Sequence, residues 1–336
     1  RSTPESKKFH HVVFYIEMPP MKRVAETVKL EKFNITILPT VILKKDNKRV
    51  SAVIFSIKES SLQLARSMAL REVAILCSLL TLAGGAVFKT ILIDRPKRWK
   101  PVEMIDTIDP PPENKTLYPP HKWFECSDQI DAEFKNRVES ILRLYYTVPV
   151  SEQVKLLDPI FAYYAGKEMQ DKQPTLATVS FIAALSPLHN ARRCSGTVRC
   201  TKCGPLKLSN GSDFRHFLTG EKAALLSSLC KLLKIDEGSE NFKALDELLT
   251  SVYGKHRSAF VHGSMFRHGE YHKDYNLPST LPTETLPYSE LLIYRQDMLS
   301  FEPIVRRALL ELLASKAKMT LDYGLLRLGE LRIRTY

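Results

Sequence analysis

Apolar and polar positions alternate with period two through HHVVFYIEM, NITILPTVILKK and RVSAVIFSIKE, where Val53, Ile54 and Ile57 supply β-branched residues. These runs predict a small antiparallel sheet. A long apolar helix follows from about Ser61 to Leu82 and stops at Gly84-Gly85, after which VFKTILID predicts one more strand. Beyond Trp123 the period changes to that of a helix, through DQIDAEFKNRVESILRLYYTV, LDPIFAYYAGKEM and LATVSFIAALSPLHN. EKAALLSSLCKLLKI and NFKALDELLTSVYGKHRSAFVH predict two more helices around a turn at Asp236-Glu237-Gly238. The last, SELLIYRQDMLSFEPIVRRALLELLASKAK, contains Pro303, which is expected to kink or restart it.

Seven prolines between Arg95 and Trp123 exclude regular helix and central strand, so this stretch reads as a stiff spacer. The fold class that follows is α+β: a small N-terminal antiparallel sheet with a long helix, then an all-α bundle. The expected boundaries are 1–95 for the first domain, 96–125 for the linker, 126–320 for the helical domain with a polar insertion at 190–218, and 321–336 for a C-terminal tail. No internal repeat is visible.

The 336 residues carry 49 Lys plus Arg against 37 Asp plus Glu, a net charge of +12, which suits a polyanionic partner, most simply a nucleic acid. Residues 1–125 hold 21 basic and 13 acidic side chains, so the excess is concentrated in the first part. Only 13 Gly against 20 Pro and no run of one residue type argue against collagen-like or low-complexity architecture. Six cysteines are too few for a disulfide scaffold, and a reducing cytoplasm is the expected compartment. The opening RSTPESKKFHHVV lacks the apolar stretch of about 7 to 15 residues that a secretory signal carries. The uncharged run Val73 to Phe88 falls short of the roughly 20 residues of a membrane span, so a buried helix, and no membrane partner, is expected.

The segment with most chemical information is YGKHRSAFVHG, Tyr253 to Gly263. Gly263 is a natural helix terminator, which puts His262 in the last turn, where the negative end of the helix dipole favours the imidazolium. Arg257 precedes it by five residues, about 140° around the helix, so both side chains can border one cleft. Ser258, four residues before His262, shares its face and can orient the imidazole or a phosphate.

Arg-Ser-x-x-x-His-Gly at the end of a helix in an α-bundle resembles the R-x4-6-H signature of HEPN-domain ribonucleases, and is most similar to their Apea-like branch, over about residues 127 to 320. That branch also places the bundle C-terminally, with Tyr or a hydrophobic residue shortly before an Arg-Ser pair. One departure is visible: Ser186-Pro187 stands about where the family often carries a Glu. The resemblance implies a metal-independent endoribonuclease. His262 would act on the ribose 2′-OH or the leaving 5′ oxygen, and Arg257 would steady charge on the scissile phosphate. It further implies 2′,3′-cyclic phosphate and 5′-OH ends, a composite site at a homodimer interface, and a role in anti-phage defence by abortive infection. RNA, tRNA among the candidates, is then the substrate, and the N-terminal domain would sense a phage-derived or other trigger.

HNARRCSGTVRCTKCGPLKL adds a second chemistry. Cys200 and Cys203 form a C-x-x-C-G knuckle, Cys194 supplies a third thiolate, and His189 completes a Cys3His set for a structural zinc ion, with Cys126 and His216 as alternatives. Three unligated surface thiols are the competing reading. Arg192, Arg193, Arg199 and Lys202 make this loop basic enough to hold an RNA backbone. His256, His262, His268 and His272 have no accompanying carboxylate pattern that would complete a metal site. No Gly-rich phosphate loop, G-x-S-x-G elbow or H-E-x-x-H motif is present, which argues against an NTPase, an α/β-hydrolase or a zincin. The rival function is a non-catalytic nucleic-acid-binding or interaction module in which the zinc loop and basic surface bind and the Arg-His pair is incidental.

Overall fold

A computed structural model describes residues 7–19, 24, 27–43, 48–91, 128–170, 173–188, 221–253, 288–326, 328 and 333. The chain divides into two units, 1–149 with 322–327, and 150–321 with 328–336.

The first unit contains β1 (Lys8–Glu17), β2 (Val28–Leu30), β3 (Ile35–Ile37), β4 (Val41–Leu43), β5 (Lys48–Glu59), α1 (Leu62–Gly84), β6 (Lys89–Ile91) and α2 (Asp128–Thr147). The strands form one antiparallel sheet in the order β2-β3-β5-β1-β6, with β4 also paired to β5. β1 and β5 are its spine, in register from Lys8 opposite Glu59 to Glu17 opposite Val50. On the other side of β5, Ile37 faces Val53 but Val41 faces Val50, so four steps on one strand match three on the other. That one-residue excess is a β-bulge. Thr40 sits in it, where its Oγ1 accepts the Val24 N–H at 2.7 Å and lies 2.8 Å from the Oγ of fully buried Ser51. The bulge thereby gives the core hydroxyl a partner.

Val12, Ile16, Ile35, Ile37, Val53 and Phe55 are buried on the face that α1 covers. The side is set by Cys77, whose Sγ is 3.7 Å from the Oγ1 of Thr90, the residue opposite Ile16. Ser61 caps α1 by accepting the Leu64 N–H at 3.2 Å, and Gly85, at φ 66°, donates its N–H to Thr81 O at 2.8 Å. Only a residue tolerant of the left-handed region ends the helix this way without strain. α1 is long and apolar enough to cross a membrane by length and composition, and residues Ile75 to Ala83 are buried within the unit. Its core hydroxyls are satisfied one turn back, Ser78 on Ala74 O and Thr81 on Cys77 O.

The division of the chain departs from the expected boundaries. α2, read from its period as the first helix of the bundle, groups with the sheet and α1. The reason is packing: Phe134 approaches Phe88 at 6.5 Å between centroids, Tyr146 stacks at 5.5 Å on Phe33 and its hydroxyl donates to Glu72. Ile141, Leu142 and Tyr145 are buried there, at about 1.5–3 kcal/mol for each large apolar side chain. Arg137 Nε also donates to Leu325 O at 2.9 Å, which draws 322–327, expected as tail, into the same unit.

The second unit contains α3 (Val150–Met169), α4 (Pro174–Ala184), α5 (Glu221–Leu233), α6 (Glu240–Ser251) and α7 (Tyr288–Ala317). α7 touches all four of the others, and α3 packs on α4 and α5 on α6. Two prolines sit inside helices. α3 begins seven residues before Leu157, where the sequence pattern predicted a start, and runs through Pro159. α7 runs unbroken through Pro303 rather than restarting there. Each proline deprives one carbonyl four residues back of its N–H. Those carbonyls belong to Lys155 and Leu299, two exposed residues.

Candidate functional site

α6 is the element that leads to the Arg-His segment. Ser239 caps it by accepting the Phe242 N–H at 3.2 Å, and Leu245, Leu248 and Leu249 form its buried face. Val252, also buried, and Tyr253 continue it as a π turn. Its last turns are tied to α5 by Lys222, whose Nζ lies 2.8 Å from Asp246 Oδ1 and 2.8 Å from Thr250 Oγ1. The description ends four residues short of Arg257.

Arg257, Ser258 and His262 lie outside the described residues, as do His256, His268 and His272. So do the proposed zinc ligands Cys194, Cys200, Cys203 and His189, the alternatives Cys126 and His216, and the basic residues Arg192, Arg193, Arg199 and Lys202. Among the described residues no group of three or more His, Cys, Asp or Glu side chains is placed to hold a metal ion. The two cysteines that are described, Cys77 and Cys230, are buried and form no disulfide, and burial, followed by the charge of Glu237, pushes the Cys230 thiol above its ordinary pKa. Ser186-Pro187, the departure from the family pattern, forms with Leu188 a 3-10 turn just after α4.

A polar cluster that the sequence pattern missed lies in the core of the helical unit. Glu302 on α7 is only 9% exposed and accepts the hydroxyl of Tyr163 on α3, which is fully buried. Lys167, one turn along α3, brings its Nζ to 3.5 Å of the same carboxylate oxygen. Burial, then the charge of Glu302, then the hydrogen bond to it hold the Tyr163 phenol well above its ordinary pKa, with Arg306 acting weakly the other way. The phenol therefore stays protonated at neutral pH and serves as a donor. The arrangement clamps α3 to α7. A signal was available: Glu302 is the one acid in the otherwise apolar stretch MLSFEPIV, a position where a charge needs a partner.

Outside the helical unit, the residues with most recognition chemistry lie on the sheet face away from α1, where Phe9, His11, Lys29 and Lys58 are exposed. Neither protein families, nor curated proteins, nor solved structures yield a match to this chain.

Proposed function

We propose that the chain is a HEPN-type, metal-independent endoribonuclease whose helical unit carries the chemistry at Arg257 and His262. What supports this reading is that α6, a capped amphipathic helix inside an all-helical unit, ends at Ser251, six positions in sequence before Arg257 of the Arg-Ser-x-x-x-His-Gly run. The net charge of +12 supports a polyanionic substrate.

In the proposed reaction His262 takes the proton of a ribose 2′-OH, and the oxygen attacks the adjacent phosphorus. The bond to the 5′ oxygen breaks, and the proton taken up by the imidazole is returned to that oxygen as it leaves, directly or through water. Arg257 offsets the negative charge that builds on the non-bridging oxygens, and Ser258 orients the imidazole or the phosphate. Two chains build the site together, and the first unit receives the signal that releases activity. The resemblance extends this to anti-phage defence by abortive infection.

Wild-type protein, Arg257→Ala and His262→Ala are incubated with total tRNA and a mixed single-stranded RNA in EDTA, and fragment ends are mapped. Fragments with 5′-OH and 2′,3′-cyclic phosphate ends from wild type alone are the expected result. RNA bound but left intact by all three proteins would favour the non-catalytic binding module.

A further inference from the structure

We infer that the exposed end of the sheet face opposite α1 is a platform for single-stranded RNA. Pairing register puts Phe9 beside Lys58, His11 beside Ser56 and Val13 beside Ile54 on that face, and extends the Ile54 row through Thr36 to Lys29. The face has two halves. Toward the other end of β5, Val50 and Ala52 are buried, whereas Phe9 is 60% exposed and His11, Lys29 and Lys58 are all exposed.

Phe9 presents an aromatic face at the surface of the sheet, and its surroundings are cationic. The Lys58 Nζ leans on the Phe9 ring at 5.9 Å from its centroid. The Nδ1 of His11 is fixed 2.9 Å from Ser56 Oγ. Exposed Glu31, in the turn joining β2 to β3 at this end, stands next to exposed Lys32, and the other acidic groups of the long strands are turned away or distant. Glu59 falls on the α1 side by register, opposite Lys8, and is paired with Lys7 at 3.4 Å, while Glu17 lies at the far end of β1.

These residue types match the two parts of a nucleotide. A base stacks on the Phe9 ring, and Lys58 is then within reach of the adjoining phosphate. Lys29 lies three strand spacings across the sheet and four residues along it from Phe9, about 20 Å in all, so a strand crossing the sheet obliquely meets a second cation. A sheet face of this extent holds two or three unstacked bases. A duplex keeps its bases stacked and cannot use the ring, so the complementarity is to a single strand. The inference concerns binding alone and does not depend on the nuclease reading.

The test uses the full chain carrying His262→Ala, so that loss of binding and loss of cleavage are read separately. Fluorescence anisotropy follows a fluorescein-labelled, unstructured single-stranded RNA of about a dozen nucleotides, enough to pass the two or three bases of the platform. Phe9→Ala is expected to weaken binding about tenfold, from the loss of one base–ring stack. Phe9→Tyr, which keeps the ring, should bind like the parent, and matched thermal unfolding of the two variants separates stacking from misfolding. Neutralising both cations with Lys29→Gln and Lys58→Gln should reduce the steepness of log K against log salt by about 1.4, the value for two phosphate contacts on a single strand. Ultraviolet cross-links should map to the peptide containing Phe9. The inference is overturned if the parent does not bind single-stranded RNA, if duplex RNA binds as well, or if Phe9→Ala and the double lysine variant bind with unchanged affinity and salt dependence.

Discussion

Removing the carboxylate of Glu302 tests whether the cluster between α3 and α7 holds the helical unit together. In Glu302→Leu the Tyr163 hydroxyl, fully buried, and the Lys167 ammonium, whose side chain is 10% exposed, lose the acceptor that both use. Breaking a buried ion pair on one side costs about 3–5 kcal/mol, and the residual exposure of Lys167 places the expected loss near the lower end. Tyr163→Phe removes only one charge-assisted hydrogen bond and should cost about 1.5–3 kcal/mol. The triple variant Tyr163→Phe, Lys167→Met, Glu302→Leu removes all three members of the cluster, leaves only half-buried Arg306 beside it, and should recover most of the loss. Urea unfolding followed by far-ultraviolet circular dichroism reads all three. With a slope of about 1–3 kcal/mol per molar, a loss of 3 kcal/mol moves the midpoint by about 1 M or more. A loss below about 1 kcal/mol in Glu302→Leu, or a triple variant less stable than that single one, would refute the argument that desolvated charge dominates here.

Gly166→Ala should destabilise the same unit, because a Cβ there would lie 2.5 Å from Cε1 of fully buried Phe181 and 3.1 Å from Ala177 O. Overpacking costs about 1–3 kcal/mol and outweighs the roughly 1 kcal/mol of helix propensity that alanine adds, so a lower thermal midpoint is expected and an unchanged or higher one would count against it. Glu152 accepts from Lys155 at 2.6 Å and Lys316 at 2.8 Å, which hold its carboxyl down at about 2. Because the folded value is depressed, the stabilisation is present above the unfolded value near 4.5 and is lost as pH falls toward about 2. Carboxyl-carbon NMR should show Glu152 titrating at the lower end of that range, and Lys316→Ala should move it upward. Protein purified without added metal should contain one zinc ion per chain by elemental analysis and lose it in Cys200→Ser and Cys203→Ser; a metal-free wild type would remove the zinc-knuckle proposal.

Local chemistry alone determined several elements. Alternation in VVFYIE and SAVIFSI is enough for two long neighbouring strands, and Ser61 and Gly85 are the cap and terminator that any helix over LQLARSMALRE would use. The turn at Gly238, with φ 89°, was likewise legible from Asp-Glu-Gly. β2, three residues long, carries too few positions for a period to show, and it exists because β3 offers it an edge.

The ambiguous cases were those in which a neighbour makes the decision. The apolar face of α2 says only that it must be buried, and Phe88, Phe33 and Glu72 decide against what. Pro303 reads as a kink or restart and Pro159 stands in the first turn of the helix that the pattern predicts, yet helix begins well before Pro159 and runs on through Pro303, because the faces around them pack. Of the candidate site, the residue types and spacing of Arg257, Ser258 and His262 and the helix that leads toward them were visible in the sequence, and the structure adds the cap at Ser239 and the tie of α6 to α5. The pairing of Tyr163 with Glu302, 139 positions apart, and the alignment of Phe9, His11, Lys58 and Lys29 on one face were beyond any local pattern. Periodicity reports which face of an element avoids water, whereas partner and register are set by the free energy of the whole packed unit.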